Sequence, residues 1–262
     1  MTRITLILLT GVAAATLSAC GRDWASDGEP MRPMRAVTQL QCPDHEGSLT
    51  RVRVAADGLS CDYAGSRGAE VVLKLVKPAN GDSAAALDDL DSQMNALMPE
   101  VQGKVEQGEA EMKAEDSAPS SPGSSTGSRD RADIDLPGFH IHTHGDHAEV
   151  RLPGVSVDAD DDKHGGGSSH GNAHVSVAGG LVDVRAHNDA AIVHVRSRGA
   201  GVRAGYRLAD KTPSPDGWRL VGYDAHGPAG GPLVVAIVKS KDSEENPLFH
   251  DAMLLVRTNV GG

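Results

Sequence analysis

Aromatic residues are scarce in this chain, with two Phe, two Trp and three Tyr among 262 residues. A core must be filled by aliphatic and small side chains, and a ligand platform of stacked rings has almost nothing to be built from. Basic residues are also in deficit. The 25 Lys and Arg stand against 36 Asp and Glu, a formal net charge of -11. A nucleic-acid binder needs cationic surface to displace counterions, and docking to anionic lipid headgroups needs a basic patch. The balance argues against both. No segment beyond the first twenty residues is long and apolar enough to cross a bilayer, which takes about 20 apolar residues. The G-x-S-x-G elbow and the P-loop are missing, and Gly199-x-Gly201-x-x-x-Gly205 has the wrong spacing for dinucleotide binding. Cysteine is limited to Cys20, Cys42 and Cys61.

The chain does carry an address. Arg3 is the only charge before residue 20, and Ile4 to Ala19 is an uncharged, mostly apolar run. That run is short for a membrane span. A charged start, an apolar centre and a small-residue exit read as a secretion signal. The exit, Leu17-Ser18-Ala19-Cys20, resembles the lipobox of bacterial lipoproteins. The resemblance implies a signal peptide at 1–19, cleavage before Cys20, and a diacylglycerol thioether with palmitate-type chains on that cysteine. It also implies residence in the cell envelope, and Gly21 leans toward the outer membrane facing the periplasm. Acyl chains hold such a protein without a polypeptide span. Residues 20–36 then read as a membrane tether. With Cys20 acylated an even pair remains, and the oxidising periplasm makes Cys42–Cys61 the expected disulfide. The pair lacks a CxxC and makes a poor zinc or redox motif.

The mature chain divides into two modules and a linker, and the expected fold class is mainly β with one helix. Residues 37–101 read as an α+β module. Leu49, Val52 and Val54 mark one strand with a phase slip, Asp57-Gly58 a turn, Cys61 and Tyr63 a second strand, and Val71 to Val76 a third. A helix follows, capped at Asp82 or Ser83. Leu87, Leu90, Met94, Leu97 and Met98 form its apolar stripe, expected to pack on the meander, and Pro99 marks its end or a kink. Residues 102–133, rich in Ser, Pro and Gly toward their end and acidic at their start, read as a disordered, self-repelling linker.

Residues 134–262 read as an all-β, repeat-like module, a sheet, sandwich or solenoid. Leu136-Pro137-Gly138-Phe139 returns as Leu152-Pro153-Gly154-Val155. Phe139 to Val150 parallels Val182 to Val193, each a strand, then His-Gly-Asp or His-Asn-Asp, then a strand. Further strands are expected at 202–208, 218–223 and 232–239, while 248–256 fits a strand or a short helix. The pattern broadly resembles the β-repeat modules of bacterial surface adhesins, which implies an envelope structural or interaction role and a protein or polymer partner. Tyr206, Trp218 and Tyr223 are expected in the core of the last sheet.

One stretch is chemically suggestive. His140, His142 and His144 alternate along a strand and so share a face, and Asp146 and His147 sit at the adjacent turn. Two His at i and i+2 can share a zinc or copper ion. The alternative is a strand whose apolar face packs and whose His face is solvated. His142-Thr143-His144-Gly145-Asp146-His147 also resembles the metal motif of the metallo-β-lactamase superfamily. That likeness implies His142 and His144 on one zinc, Asp146 and His147 on a second, and hydrolysis by metal-activated hydroxide. The family continues into a glycine-led helix, whereas this chain continues with another β pattern. The run Asp158-x-Asp160-x-Asp162 resembles a calcium loop but has Lys163 where Gly is needed. Non-enzymatic envelope function is therefore the leading expectation, with periplasmic zinc or copper binding second and a divergent metallohydrolase third.

Overall fold

The computed structural model describes residues 33–116, 182–196, 201–242 and 247–261 (without the side chains of 112, 115 and 116), together with the backbone of six strands between 131 and 177. Cys20 and Asp146 lie outside the described residues, as do positions 117–130. Among the described residues no helix is long and apolar enough to cross a membrane.

The meander expected after Val37 forms. Strands β1 (His45–Glu46), β2 (Leu49–Val54), β3 (Ser60–Ala64) and β4 (Glu70–Val76) pair in chain order. The phase slip in the second strand has a physical origin, since the β2–β3 register shifts between Arg51 and Arg53. Val52, between them, is left exposed. Cys42 and Cys61 form a disulfide, with Cα atoms 6.3 Å apart.

Helix α1 (Ser83–Leu97) starts where the cap residue stands, Asp82 accepting from the Ala85 amide at 3.1 Å. Leu87, Leu90, Met94 and Met98 of its stripe are buried. They pack mainly away from the meander, which contributes Val76 of β4. They join Leu208, Tyr206, Val221 and Tyr223 from later strands, because α1 lies over the strands Gly201–Asp210 and Leu220–Pro228.

The linker expectation is corrected over its first half. Pro99 opens a second helix, α2 (Pro99–Asp116), at the position where proline's missing N–H costs nothing. Val101, Val105 and Gly108 are its buried row, at i, i+4 and i+7. Only two of the three are apolar in composition, and Glu, Lys, Gln and Ala supply the helix propensity around them.

Beyond residue 130, β5 (Arg131–Leu136), β6 (Phe139–His144), β7 (His147–Leu152) and β8 (Val155–Asp160) form a four-stranded antiparallel sheet in chain order. The leucines that open the two Leu-Pro-Gly repeats occupy equivalent rungs, Leu136↔Phe139 and Leu152↔Val155. The remaining strands are β9 (Gly167–Ser169), β10 (Asn172–Val177), β11 (Val182–His187), β12 (Ala190–Arg196), β13 (Gly201–Asp210), β14 (Leu220–Pro228) and β15 (Leu233–Ser240). Residues 248–260 resolve as helix α3 (Leu248–Val260), so the C-terminal module is not all β.

The protein is mainly β, and its main sheet is antiparallel and open, in the order β1-β2-β3-β4-β15-β14-β13-β12-β11-β10-β9. The pairing of β4 with β15, from Val76↔Leu233 to Glu70↔Lys239, corrects the division into two modules. The apolar residues of β4 fall on both faces, which suits an interior strand. One face of the sheet carries Leu73, Leu75, Val234, Ala236 and Val238 under Phe249, Leu255 and Val256 of α3. The other carries the α1 and α2 contacts. Segment 33–42 fastens α3 as well: the Arg35 amide donates to the Val260 carbonyl at 2.9 Å. The Gln41 amide donates to Asn259 Oδ1 at 2.7 Å. The described residues belong to one compact unit, Arg32–Gly262.

Candidate functional site

Among the described residues, two groups of side chains and one strand pattern have chemistry of their own. The first lies between α1 and the sheet. Asp88, Asp91 and Asn95 follow one another at three- and four-residue spacing beside the apolar stripe of α1. His194 and Arg196 on β12, Tyr206 on β13 and Tyr223 on β14 meet them from the sheet.

The Tyr223 hydroxyl donates to Asp91 Oδ1 at 2.6 Å. Arg196 Nη2 donates to Asp91 Oδ2 at 3.0 Å and to Asp88 Oδ1 at 2.9 Å. Arg196 Nε donates to His194 Nε2 at 2.9 Å, which leaves the imidazole proton on Nδ1. The Tyr206 hydroxyl donates to Asn95 Oδ1 at 2.8 Å, and its ring meets that of His194 edge-on.

Burial shifts the two phenols and the imidazole in opposite directions. Burial pushes the Tyr206 phenol up to about 12. Burial, with the bond to Asp91, raises Tyr223 further. Burial lowers His194 despite Asp91 beside it. The hydroxyls stay donors and the imidazole stays neutral near pH 7. His, Asp and Tyr together are the ingredients of general acid–base chemistry. Here the Asp91 oxygens accept from Tyr223 and Arg196, and His194 Nε2 accepts from Arg196, so the groups that would move protons bind one another.

The second group is on the opposite face. Arg207 on β13 and Asp224 on β14 are both buried, with Nη2 to Oδ2 at 3.5 Å. The ladder sets a glycine opposite each, as Arg207↔Gly222 and Gly205↔Asp224. The charged side chains thereby gain room, since a Cβ on Gly205 would stand 3.1 Å from Asp224 Oδ1. The guanidinium lies 4.4 Å from the Phe249 ring centre on α3. Burial raises the Asp224 carboxyl although Arg207 works against it. His226, two residues on, is buried and pushed down to about 4 by burial, with Arg203 and Arg257 adding to the effect.

The third is the His-rich strand. His140, His142 and His144 lie on β6 and His147 begins β7. Their side chains are outside the described residues, but their register is fixed by His144↔His147, His142↔Glu149 and His140↔Arg151. Among the residues described with side chains, no group of three or more His, Cys, Asp or Glu is placed to hold a metal ion.

Sequence reading missed the first two groups. The helix row was visible as Asp88 and Asp91 off the apolar stripe, but nothing in the sequence assigned β12–β14 as the partner. Tyr206, Trp218 and Tyr223 are buried as expected. No protein-family model, curated protein or solved structure matches this chain.

Proposed function

We propose that this is a lipid-anchored protein of the bacterial envelope with a non-enzymatic structural or interaction role. The observation that carries the reading is the closed network under α1. The described residues best equipped for acid–base chemistry bind one another through Asp91 and Arg196 and fasten the helix to the sheet. The anchor rests on the sequence around Cys20. The hydrolase alternative draws little support from the backbone, since the His142–His147 motif runs into β7 and then β8, and no helix follows it directly among the described residues.

Two measurements test this. Cys20→Ala is expected to abolish acylation and move the chain from the membrane fraction to the soluble one; unchanged fractionation would remove the anchor. In a deletion strain, His194→Gln is expected to restore envelope integrity in proportion to the folded protein present. Loss of rescue at unchanged level and fold would make the α1 cluster catalytic and overturn the structural reading.

A further inference from the structure

The register of the four-stranded sheet sorts its residues into two unlike faces. One row set holds Ile134, Ile141, Val150 and Val157, with Leu136, Phe139, Leu152 and Val155 at the next rung of the same face. The other face holds Arg131, His144, His147 and Asp160 across one row, then Asp133, His142, Glu149 and Asp158 across the next. Alternation of period two makes the first face a packing face and the second a polar one.

We propose that His142, His144, His147 and Glu149 bind one divalent ion of the zinc and copper class. They are the four corners of a block of neighbouring positions. Cross-strand partners lie about 5 Å apart and same-face neighbours on one strand about 7 Å apart. Four positions at those spacings are the juxtaposition from which one ion can be shared. Three imidazoles and one carboxylate suit a borderline cation in a four-coordinate site. Asp133 stands across from His142 and Asp160 across from His147. The two aspartates thus occupy rungs beside the histidines, and metal-bound imidazoles commonly have such carboxylate neighbours.

The repeated hairpin supplies an internal comparison. It has the same register, with His187↔Ala190 and Arg185↔Ile192 where the first hairpin has His144↔His147 and His142↔Glu149. In the second hairpin α2 lies against the two strands, and Ala190 and Ile192 are buried there. The first hairpin replaces that apolar pair with His147 and Glu149 and adds His142. An apolar pair suits cover by a helix, whereas His147 and Glu149 suit an ion or solvent, and zinc titration separates those two. The ligand set also departs from the linear motif, taking Glu149 from the opposite strand in place of Asp146 from the turn.

The test is zinc titration of the full-length, untagged chain in detergent micelles, with copper as a competitor. One tightly bound zinc per chain is expected. His142→Ala and Glu149→Gln are each expected to weaken it tenfold or more. Asp146→Asn and His164→Ala/His170→Ala should leave it within twofold. Zinc should raise the melting temperature of the parent and not of Glu149→Gln, whose near-isosteric change preserves the fold. Absence of stoichiometric zinc would overturn the proposal. So would dependence on Asp146 with indifference to Glu149, which would return the ion to the linear motif. This outcome is independent of Cys20 and of whether the α1 cluster is structural.

Discussion

His226 sits where the field around it has one sign from two elements. Arg203 is its rung partner on β13, Arg257 lies on α3, and the carboxylate nearby, Asp224, is itself raised toward its neutral form by burial. In the folded chain the imidazole titrates at about 4, against an ordinary value of 6.5. Between those values the unfolded chain binds more protons, so the contribution of His226 to stability is complete above pH 6.5 and falls as the pH drops toward 4. The slope is at most about 1.4 kcal/mol per pH unit. Asp224, raised, acts in the opposite sense over the acid range, so the comparison needs a variant. Chemical denaturation of the parent and of His226→Gln from pH 7 to 4 should show the parent losing ground steadily below 6.5. Parallel curves would mean that the imidazole is not held neutral. None of this was legible in the sequence, where His226 falls between the strands expected at 218–223 and 232–239, and the strand in fact runs on to Pro228. Its burial follows from strand order, and strand order is a property of the whole chain.

At the scale of elements, the helices show which signals a sequence carries. Five apolar residues at three and four spacing announced α1, and Asp82 capped it as its residue type suggested. The second helix announced itself less, because its buried row is Val101, Val105 and a glycine. That glycine is informative. A Cβ at Gly108 would land on the His187 ring of β11, whereas a Cβ at Gly103, on the exposed side, would meet nothing within 4 Å. The two glycines of one helix should therefore respond with opposite sign to the same substitution. Gly103→Ala is expected to stabilise by roughly 0.5–1 kcal/mol through helix propensity. Gly108→Ala is expected to destabilise by about 1–3 kcal/mol, because helix and strand must separate or the His187 ring must turn away. Urea midpoints of both variants decide it. Equal and favourable shifts would mean that α2 does not approach β11 as closely as described. The hairpins were more legible than the helix. Asn188-Asp189 after β11 forms the turn, with Asn188 at φ +50°, a conformation Asn tolerates better than most residues.

At the scale of the whole molecule, the sequence supports a small disulfide-bonded module followed by a separate β module, and the structure joins them. The reason is topological. Val71, Leu73 and Leu75 look like the last strand of a meander, and the residues that cover their other edge, Leu233 to Lys239, lie more than 150 positions away. No local pattern reports a pairing at that separation, and loop closure over such a distance is entropically slow to find. The consequence is measurable. A fragment comprising residues 37–116 retains β1–β4, the disulfide, α1 and α2 but lacks β15, β13, β14 and α3. Leu87, Leu90 and Met94 would then lose the strands Gly201–Asp210, Leu220–Pro228 and Leu233–Ser240 that they cover, and β4 would be an edge with apolar residues on both faces. The disulfide adds only about 3 kcal/mol by restricting the unfolded chain, too little to replace that burial. The fragment should show no cooperative unfolding transition with the disulfide intact, while residues 37–262 unfold with one transition that probes of Trp218 and of backbone structure report alike. A fragment that melts cooperatively alone would restore the two-module reading and make the β4–β15 pairing an interface between domains.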